Sequence, residues 1–207
     1  MSFQYLSKGL QKDNIYKRNS FQDGPLKSLP AEMSDDHFSH KQKMLLRETW
    51  NIIREDKRNH GITILIMIFD KKPETKHLFP FRDLEGDELT CNAQFCSHAK
   101  RFMHAVEATI QHLDALEMVM VPLLHRLGEK HASIDGFKEE YFSVFVESIQ
   151  DVIADALGKK CTAPVRDAWG QLGKFIAGKM HEGYKSAQVA MRNGVVRDVD
   201  GCPDKSV

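Results

Sequence analysis

The chain has 207 residues, of which 42% are apolar and 28% are charged, a composition typical of a folded globular protein. Its 29 basic and 29 acidic side chains cancel to a formal charge of zero, so no basic field supports non-specific binding to nucleic acid. The longest apolar run, residues 62–69, is far shorter than the roughly 20 residues that a transmembrane helix needs. The first residues carry no apolar signal-peptide core, and Ser2 stands where myristoylation requires glycine. We therefore expect a cytoplasmic protein.

Both ends of the chain are polar and aperiodic, and both contain glycine and proline residues that interrupt helices. Such segments bury too little apolar surface to offset the entropy of ordering them. We therefore predict a flexible N-terminal extension over 1–36 and a flexible C-terminal tail over 185–207. A folded domain over 37–184 lies between them.

Apolar residues recur with helical spacing in six segments of the middle of the chain. These segments are, in chain order, 45–53, 62–69, 95–109, 120–131, 141–156 and 165–176. Pro73 predicts the end of the second helix near Lys72, and Gly158 is a suitable C-cap for the fifth. Thr162 is placed to cap the sixth helix, with Pro164 in its first turn. No segment alternates as a strand does, so the sequence predicts an all-α fold.

Two of the ten histidines lie on apolar helical faces. His98 is three residues after Phe95 and four before Phe102, and His131 extends the stripe of Leu124 and Leu127. A single histidine on such a face is most often a core residue with a hydrogen-bond partner. Two of them on separate helices are more suggestive, because an imidazole in an apolar pocket is costly without a partner, and a metal is one such partner.

Zinc is the first metal to weigh, but the ligand spacing does not favour it. Structural zinc sites commonly take ligands three or four residues apart on one helix, or a CxxC pair. Here His98 and His104 are six residues apart, as are His125 and His131, and no CxxC pair occurs. Haem suits one histidine from each of two helices better, because it has two axial positions and a large apolar perimeter.

Several motifs in chain order resemble those of the globin family across about 37–184, with spacings similar to those of neural and tissue globins. They are Trp50; His60-Gly61 followed by Leu65; Pro73-Glu74-Thr75 leading to Phe79; the His98-Ala-Lys-Arg-Phe-Met segment; Leu127-Gly-Glu-Lys-His131; and Ala168-Trp169 with the later Gly183-Tyr184.

The resemblance implies a globin fold of six to eight helices around a haem b pocket. It makes His131 the proximal iron ligand, with its second N–H donated to a backbone carbonyl near Leu127. It makes His98 the distal histidine, which either donates a hydrogen bond to oxygen or serves as a sixth iron ligand. The side chains expected to wall the porphyrin are Leu65, Phe79, Phe102, Leu124, Leu127, Phe137, Phe142 and Phe145. Phe102 replaces the small aliphatic residue common at its position in the family, so we expect it to restrict the space for ligands.

Cys91 and Cys96 precede His98 and allow two interpretations. Both are free thiols if they lie on helices in a reduced cytosol. If the segment near Cys91 is a loop, the two could form a disulfide and shift His98.

The leading functional hypothesis is a haem-binding globin that reversibly binds oxygen or a related diatomic gas, with a redox or sensing role if both histidines bind the iron. A second hypothesis is nitric-oxide dioxygenase or peroxidase-like turnover on the same haem, which would need an external reductant because the chain has no GxGxxG motif and no room for a reductase domain. A third is a haem-free helical domain that binds partners through its tails.

Overall fold

The computed structural model describes residues 37–194, and this part of the chain contains seven α-helices and no strand. The helices are α1 (His40–Ile53), α2 (Lys57–Lys71), α3 (Gly86–Cys91), α4 (Ala93–Gln111), α5 (Val121–Ala132), α6 (Tyr141–Leu157) and α7 (Ala163–Arg192). Short 3₁₀ turns join several of them. The prediction of an all-α fold with six to eight helices is confirmed. The predicted N-terminal extension over 1–36 lies outside the described residues.

Local sequence signals explain where the helices begin and end. The Ser39 hydroxyl accepts the Gln42 backbone N–H at 3.3 Å, and the Gln42 side chain accepts the Ser39 N–H, which completes a capping box at α1. α2 ends two residues before Pro73, close to the predicted position. α6 ends at Gly158, whose φ of +51° lies in the region that favours glycine. Thr162 occupies the N-cap of α7 as predicted, although its side chain makes no capping hydrogen bond.

The main core joins α1 to α7 through two tryptophans. The rings of Trp50 and Trp169 lie 6.4 Å apart, and both are almost fully buried. The Trp169 indole N–H donates to the Thr49 hydroxyl at 2.9 Å, and that hydroxyl donates in turn to the Leu45 carbonyl at 2.6 Å. Each polar atom in this series of hydrogen bonds therefore has a partner, which offsets the desolvation cost of burying it.

A glycine brings α2 and α4 into close contact. A Cβ atom on Gly61 would lie 2.9 Å from the Ala99 carbonyl oxygen and 2.8 Å from the Met103 side chain. Only a residue without a side chain allows the two backbones to approach this closely. The close crossing therefore fixes the position of α4 at Ala99, the residue that follows His98.

Two further glycines join α5 to α7. A Cβ on Gly128 of α5 would overlap the Met180 carbonyl oxygen, and a Cβ on Gly183 of α7 would overlap that of His125. The two helices therefore meet through backbone atoms on both sides of the crossing. This contact fixes the helix that carries His131 in its last turn.

Three features differ from the sequence prediction. The short helix α3 was not predicted, since Leu89 is its one buried residue. Met120 ends a π-helical turn (Leu116–Met120) before α5, instead of opening an α-helix. α7 continues to Arg192, so residues 185–192 are helical and the tail predicted from residue 185 begins too early. The remainder of that tail, 195–207, lies outside the described residues. None of the helices in residues 37–194 has the length and apolarity to cross a membrane.

Candidate haem site

His131 lies in the last turn of α5 and is half-buried. Its Nδ1 lies 2.7 Å from the Leu127 carbonyl oxygen, one helical turn earlier. Because a carbonyl can only accept a hydrogen bond, Nδ1 carries the proton and Nε2 keeps its lone pair in the neutral ring. The hydrogen bond that the globin resemblance implied for this histidine is therefore present.

Aromatic side chains surround the His131 imidazole. The Phe137 ring lies 5.1 Å from it and the Phe142 ring 6.0 Å from it. Burial lowers the pKa of His131 below its ordinary value of 6.5, against the opposing effect of the Leu127 carbonyl. The neutral ring, which is the form that binds a metal, is therefore favoured at neutral pH.

His98 lies near the start of α4, in a position fixed by the helix cap. The Asn92 side-chain oxygen accepts the backbone N–H groups of Gln94 and Phe95, each at 3.0 Å. The Phe79 ring and the His98 imidazole meet edge to face, with their centroids 5.0 Å apart. Phe79 follows the 3₁₀ turn that Pro73 opens, so the proline corner brings this ring to the histidine.

The electrostatics of His98 show that the structure brings the two histidines together. Burial has the largest effect on the pKa of His98, followed by the neighbouring His131 imidazole and by Arg101, and together they lower it to about 4. His98 is therefore neutral at pH 7, and the His131 imidazole, on another helix, lies close enough to influence its pKa. Arg101 was not singled out in the sequence, although its position three residues after His98 places it on the same helical face.

The other predicted wall residues belong to three neighbouring apolar clusters. Leu124 is fully buried in the main core, with Leu127, Phe102 and Phe145 packed against that core; Leu65 belongs to a second cluster, against which Phe79 packs; and Phe142 belongs to a third, against which Phe137 packs. Phe145 packs against both the first and the third cluster, and its ring meets Phe102 at 4.9 Å. Leu65 and Leu124 are 3% and 0% exposed, as core residues are, so burial alone does not assign them to a cofactor.

The two histidines and their surroundings fit haem b. Haem needs neutral imidazole nitrogens for its iron and apolar side chains around its porphyrin, and this site has both. In residues 37–194, no group of three or more His, Cys, Asp or Glu side chains is arranged to hold a metal ion. The porphyrin itself holds the iron of haem, so such a cluster is not required and the protein needs to supply only the histidine ligands.

Cys91 and Cys96 are both free thiols in the structure. Cys91 ends α3 and is exposed. The Cys96 thiol donates to the Thr90 carbonyl at 3.1 Å, and the Arg58 guanidinium lies 3.5 Å from its sulfur. Of the two interpretations of this pair, the structure has the reduced one.

The family model that matches this chain is Globin, over residues 62–180. This match covers more than half of the chain and includes both histidines. The chain belongs to the globin family. The cofactor of this globin is therefore haem b with its iron.

Similar proteins include neuroglobins and cytoglobins of fishes. The globin is 30% identical over 151 residues to "Neuroglobin" of Chaenocephalus aceratus, an alignment that covers 72% of this chain and 94% of that protein. It is 28% identical over 134 residues to "Cytoglobin-1" of Oryzias latipes, covering 64% and 75%. A solved structure described as a hexacoordinated heme protein from an anhydrobiotic tardigrade, at pH 4, matches the fold with a TM-score of 0.67 and 21% identity, covering 72% of this chain and 96% of that one.

Acid is expected to destabilise the haem-free globin through His98. The unfolded histidine takes up its proton near pH 6.5 and the folded one only near pH 4, so between these values the unfolded state binds more protons. The contribution of His98 to stability is complete above pH 6.5 and is lost as the pH falls towards 4. Between pH 6.5 and about 4.5, urea unfolding of the wild type should lose roughly 2 kcal/mol more than that of His98→Leu.

A variant on the same helix provides the control for this experiment. His104 is exposed on α4, so His104→Leu should keep the wild-type pH dependence. Equal losses of stability in the wild type and His98→Leu would contradict the assignment of a buried neutral imidazole at residue 98.

Proposed function

We propose that this globin reversibly binds oxygen or a related diatomic gas, with His131 as the proximal iron ligand and His98 as a second axial ligand that the gas must displace. When bound, haem would supply an iron that accepts an imidazole nitrogen or a small gas molecule, and His131 and His98 would be the residues that hold it. The observation that carries the proposal is the His131 ring, whose Nδ1 lies 2.7 Å from the Leu127 carbonyl oxygen. Burial favours the neutral form of this ring and of His98.

His131 has the tautomer that this role requires. The Leu127 carbonyl holds the proton on Nδ1 and fixes the orientation of the ring, so the Nε2 lone pair is available to the iron. The Phe137 and Phe142 rings lie against the imidazole and give this side of it an apolar surrounding. We assign the porphyrin walls to these two rings together with Leu65, Phe79, Phe102, Leu124, Leu127 and Phe145.

His98 would compete with gases for the iron. Because its pKa is about 4, almost every molecule holds this ring neutral at pH 7, ready to coordinate. The apparent gas affinity would then fall by the fraction of molecules in which His98 is bound. Once displaced, the same ring can donate an N–H to the partly negative outer atom of a gas. The tardigrade protein of similar fold is described as hexacoordinated, which agrees with this proposal.

Phe102 and Phe145 would narrow the ligand space further. Their rings meet edge to face at 4.9 Å and link α4 to α6. A side chain at residue 102 that is held by another ring cannot easily rotate away from an incoming ligand. We therefore infer slow gas access and a redox or sensing role in the cytoplasm, with electrons supplied by an external reductant.

Carbon-monoxide binding kinetics test this proposal. In the ferrous wild type, the observed rate should reach a plateau as the carbon-monoxide concentration rises, because dissociation of His98 limits it. In His98→Leu the rate should stay proportional to concentration and exceed the wild-type plateau at least 10-fold. Rapid mixing in a stopped-flow spectrophotometer measures both rates.

Phe102→Val separates the two restrictions on the ligand. This variant retains His98, so the observed rate should still reach a plateau. Below the plateau, the slope of the observed rate against carbon-monoxide concentration should change. A wild-type rate that is proportional to concentration and equal to that of His98→Leu would contradict the role of His98.

A further inference from the structure

An open groove of about 490 Å³ lies between the turn that precedes α6 and the last turns of α7. Its lining includes Phe137, Lys138, Tyr184, Lys185, Val189 and Arg192, together with Glu139 and Gln188. Its volume falls within the range of roughly 300–1,000 Å³ that is usual for small-molecule sites. Neither histidine of the candidate haem site lines it.

The polar atoms on the floor of the groove already have hydrogen-bond partners. The Tyr184 hydroxyl donates to the Phe137 carbonyl at 3.0 Å and accepts from the Gln188 side-chain amide at 2.7 Å. The Phe137 ring and Val189, which is 54% exposed, supply apolar surface beside them. An apolar body placed here would therefore gain contact area without breaking a hydrogen bond.

The rim of the groove carries an excess of positive charge. Lys138, Lys185 and Arg192 face one acidic side chain, Glu139. The Glu139 carboxylate is already held by the His181 ring at 2.8 Å, and the Lys185 ammonium lies 3.9 Å from it. Within residues 37–194, Lys138 and Arg192 take part in no ion pair, so both can bind an anion.

We propose that this groove binds a small amphiphilic anion, a carboxylate or sulfonate joined to an apolar body. The apolar body would lie on Phe137 and Val189, and the head group would be held by Lys138 and Arg192, since hydrogen bonds to charged partners are the strongest available there. The bound molecule would lie one side chain away from His131, because the Phe137 ring also contacts that imidazole.

Calorimetric titration of the haem-loaded protein with decanoate tests the proposal, and haem in its pocket keeps the probe out of that site. We expect one bound decanoate per chain. The double variant Lys138→Glu/Arg192→Glu should weaken binding at least 10-fold. The double variant Lys159→Glu/Lys160→Glu makes the same change of charge on an exposed turn outside the groove, and it should bind as the wild type does.

Two further probes separate the contributions of the head group and the body. Decanol lacks the charge, and acetate lacks the apolar body, so each should bind at least 10-fold more weakly than decanoate. The proposal is overturned if decanoate does not bind, if the groove variant binds it as the wild type does, or if both charge variants weaken it equally. Equal binding of acetate, or of an acidic peptide such as tetraglutamate, would also overturn it, because the site would then recognise charge alone.

Discussion

His131→Ala is expected to abolish stable haem binding. The variant removes the Nε2 lone pair that we assign to the iron and leaves the surrounding aromatic rings in place. Loss of a residue that merely orients a metal ligand costs about 10–100-fold in affinity, so loss of the ligand itself should cost more than about 100-fold. Gel filtration of the reconstituted protein, followed by its Soret absorbance, measures how much haem stays bound.

His112→Ala is a matched control for this experiment. The His112 ring is also half-buried, and its Nδ1 lies 2.9 Å from the carbonyl oxygen of Ala108, one turn earlier on its helix. It thus has the same hydrogen-bonding pattern as His131 but no ring contact with Phe137 or Phe142. This variant should retain haem. Equal retention by both variants would show that residue 131 does not hold the iron.

Gly183→Ala is expected to destabilise the protein by about 2–4 kcal/mol, because its new Cβ would overlap the His125 carbonyl oxygen. A backbone atom cannot rotate away, so α5 and α7 must separate. Since α5 carries His131, haem affinity should fall together with stability. Chemical unfolding of the haem-free protein measures the first effect, and haem transfer to an acceptor protein measures the second.

Gly178→Ala tests the same substitution on the same helix. No atom lies within 4 Å of the Cβ position at this exposed residue. Replacing a glycine inside a helix by alanine then stabilises by up to about 1 kcal/mol, because it lowers the entropy of the unfolded chain. A Gly183→Ala protein as stable as the Gly178→Ala protein would contradict the close crossing of α5 and α7.

Helical spacing was sufficient to predict most of the fold. The apolar segments 45–53 and 62–69 correspond to α1 and α2, because the apolar side chains of each segment are packed into the core. The short helix α3 has no such period. The last turns of α7 were also missed, because residues 185–192 lack a packed stripe and their large apolar side chains, Val189 and Met191, are exposed. That segment is rich in good helix formers and extends a helix already formed, until Gly194 with a φ of +70° ends it.

The candidate site was only partly accessible from the sequence. The apolar faces singled out His98 and His131, but their proximity depends on where α4 and α5 lie. Those positions depend in turn on Gly61, Gly128 and Gly183, and a glycine in a helix does not reveal which backbone it will meet. The order of motifs in the globin family supplied the information that periodicity could not.

The absorption spectrum of the deoxy-ferrous protein tests most directly whether haem iron is held by both His98 and His131. The account predicts a split visible band in the wild type, the signature of two histidine ligands, and a single broad band in His98→Leu. A broad single band in both proteins, or a split band that survives in His98→Leu, would contradict it.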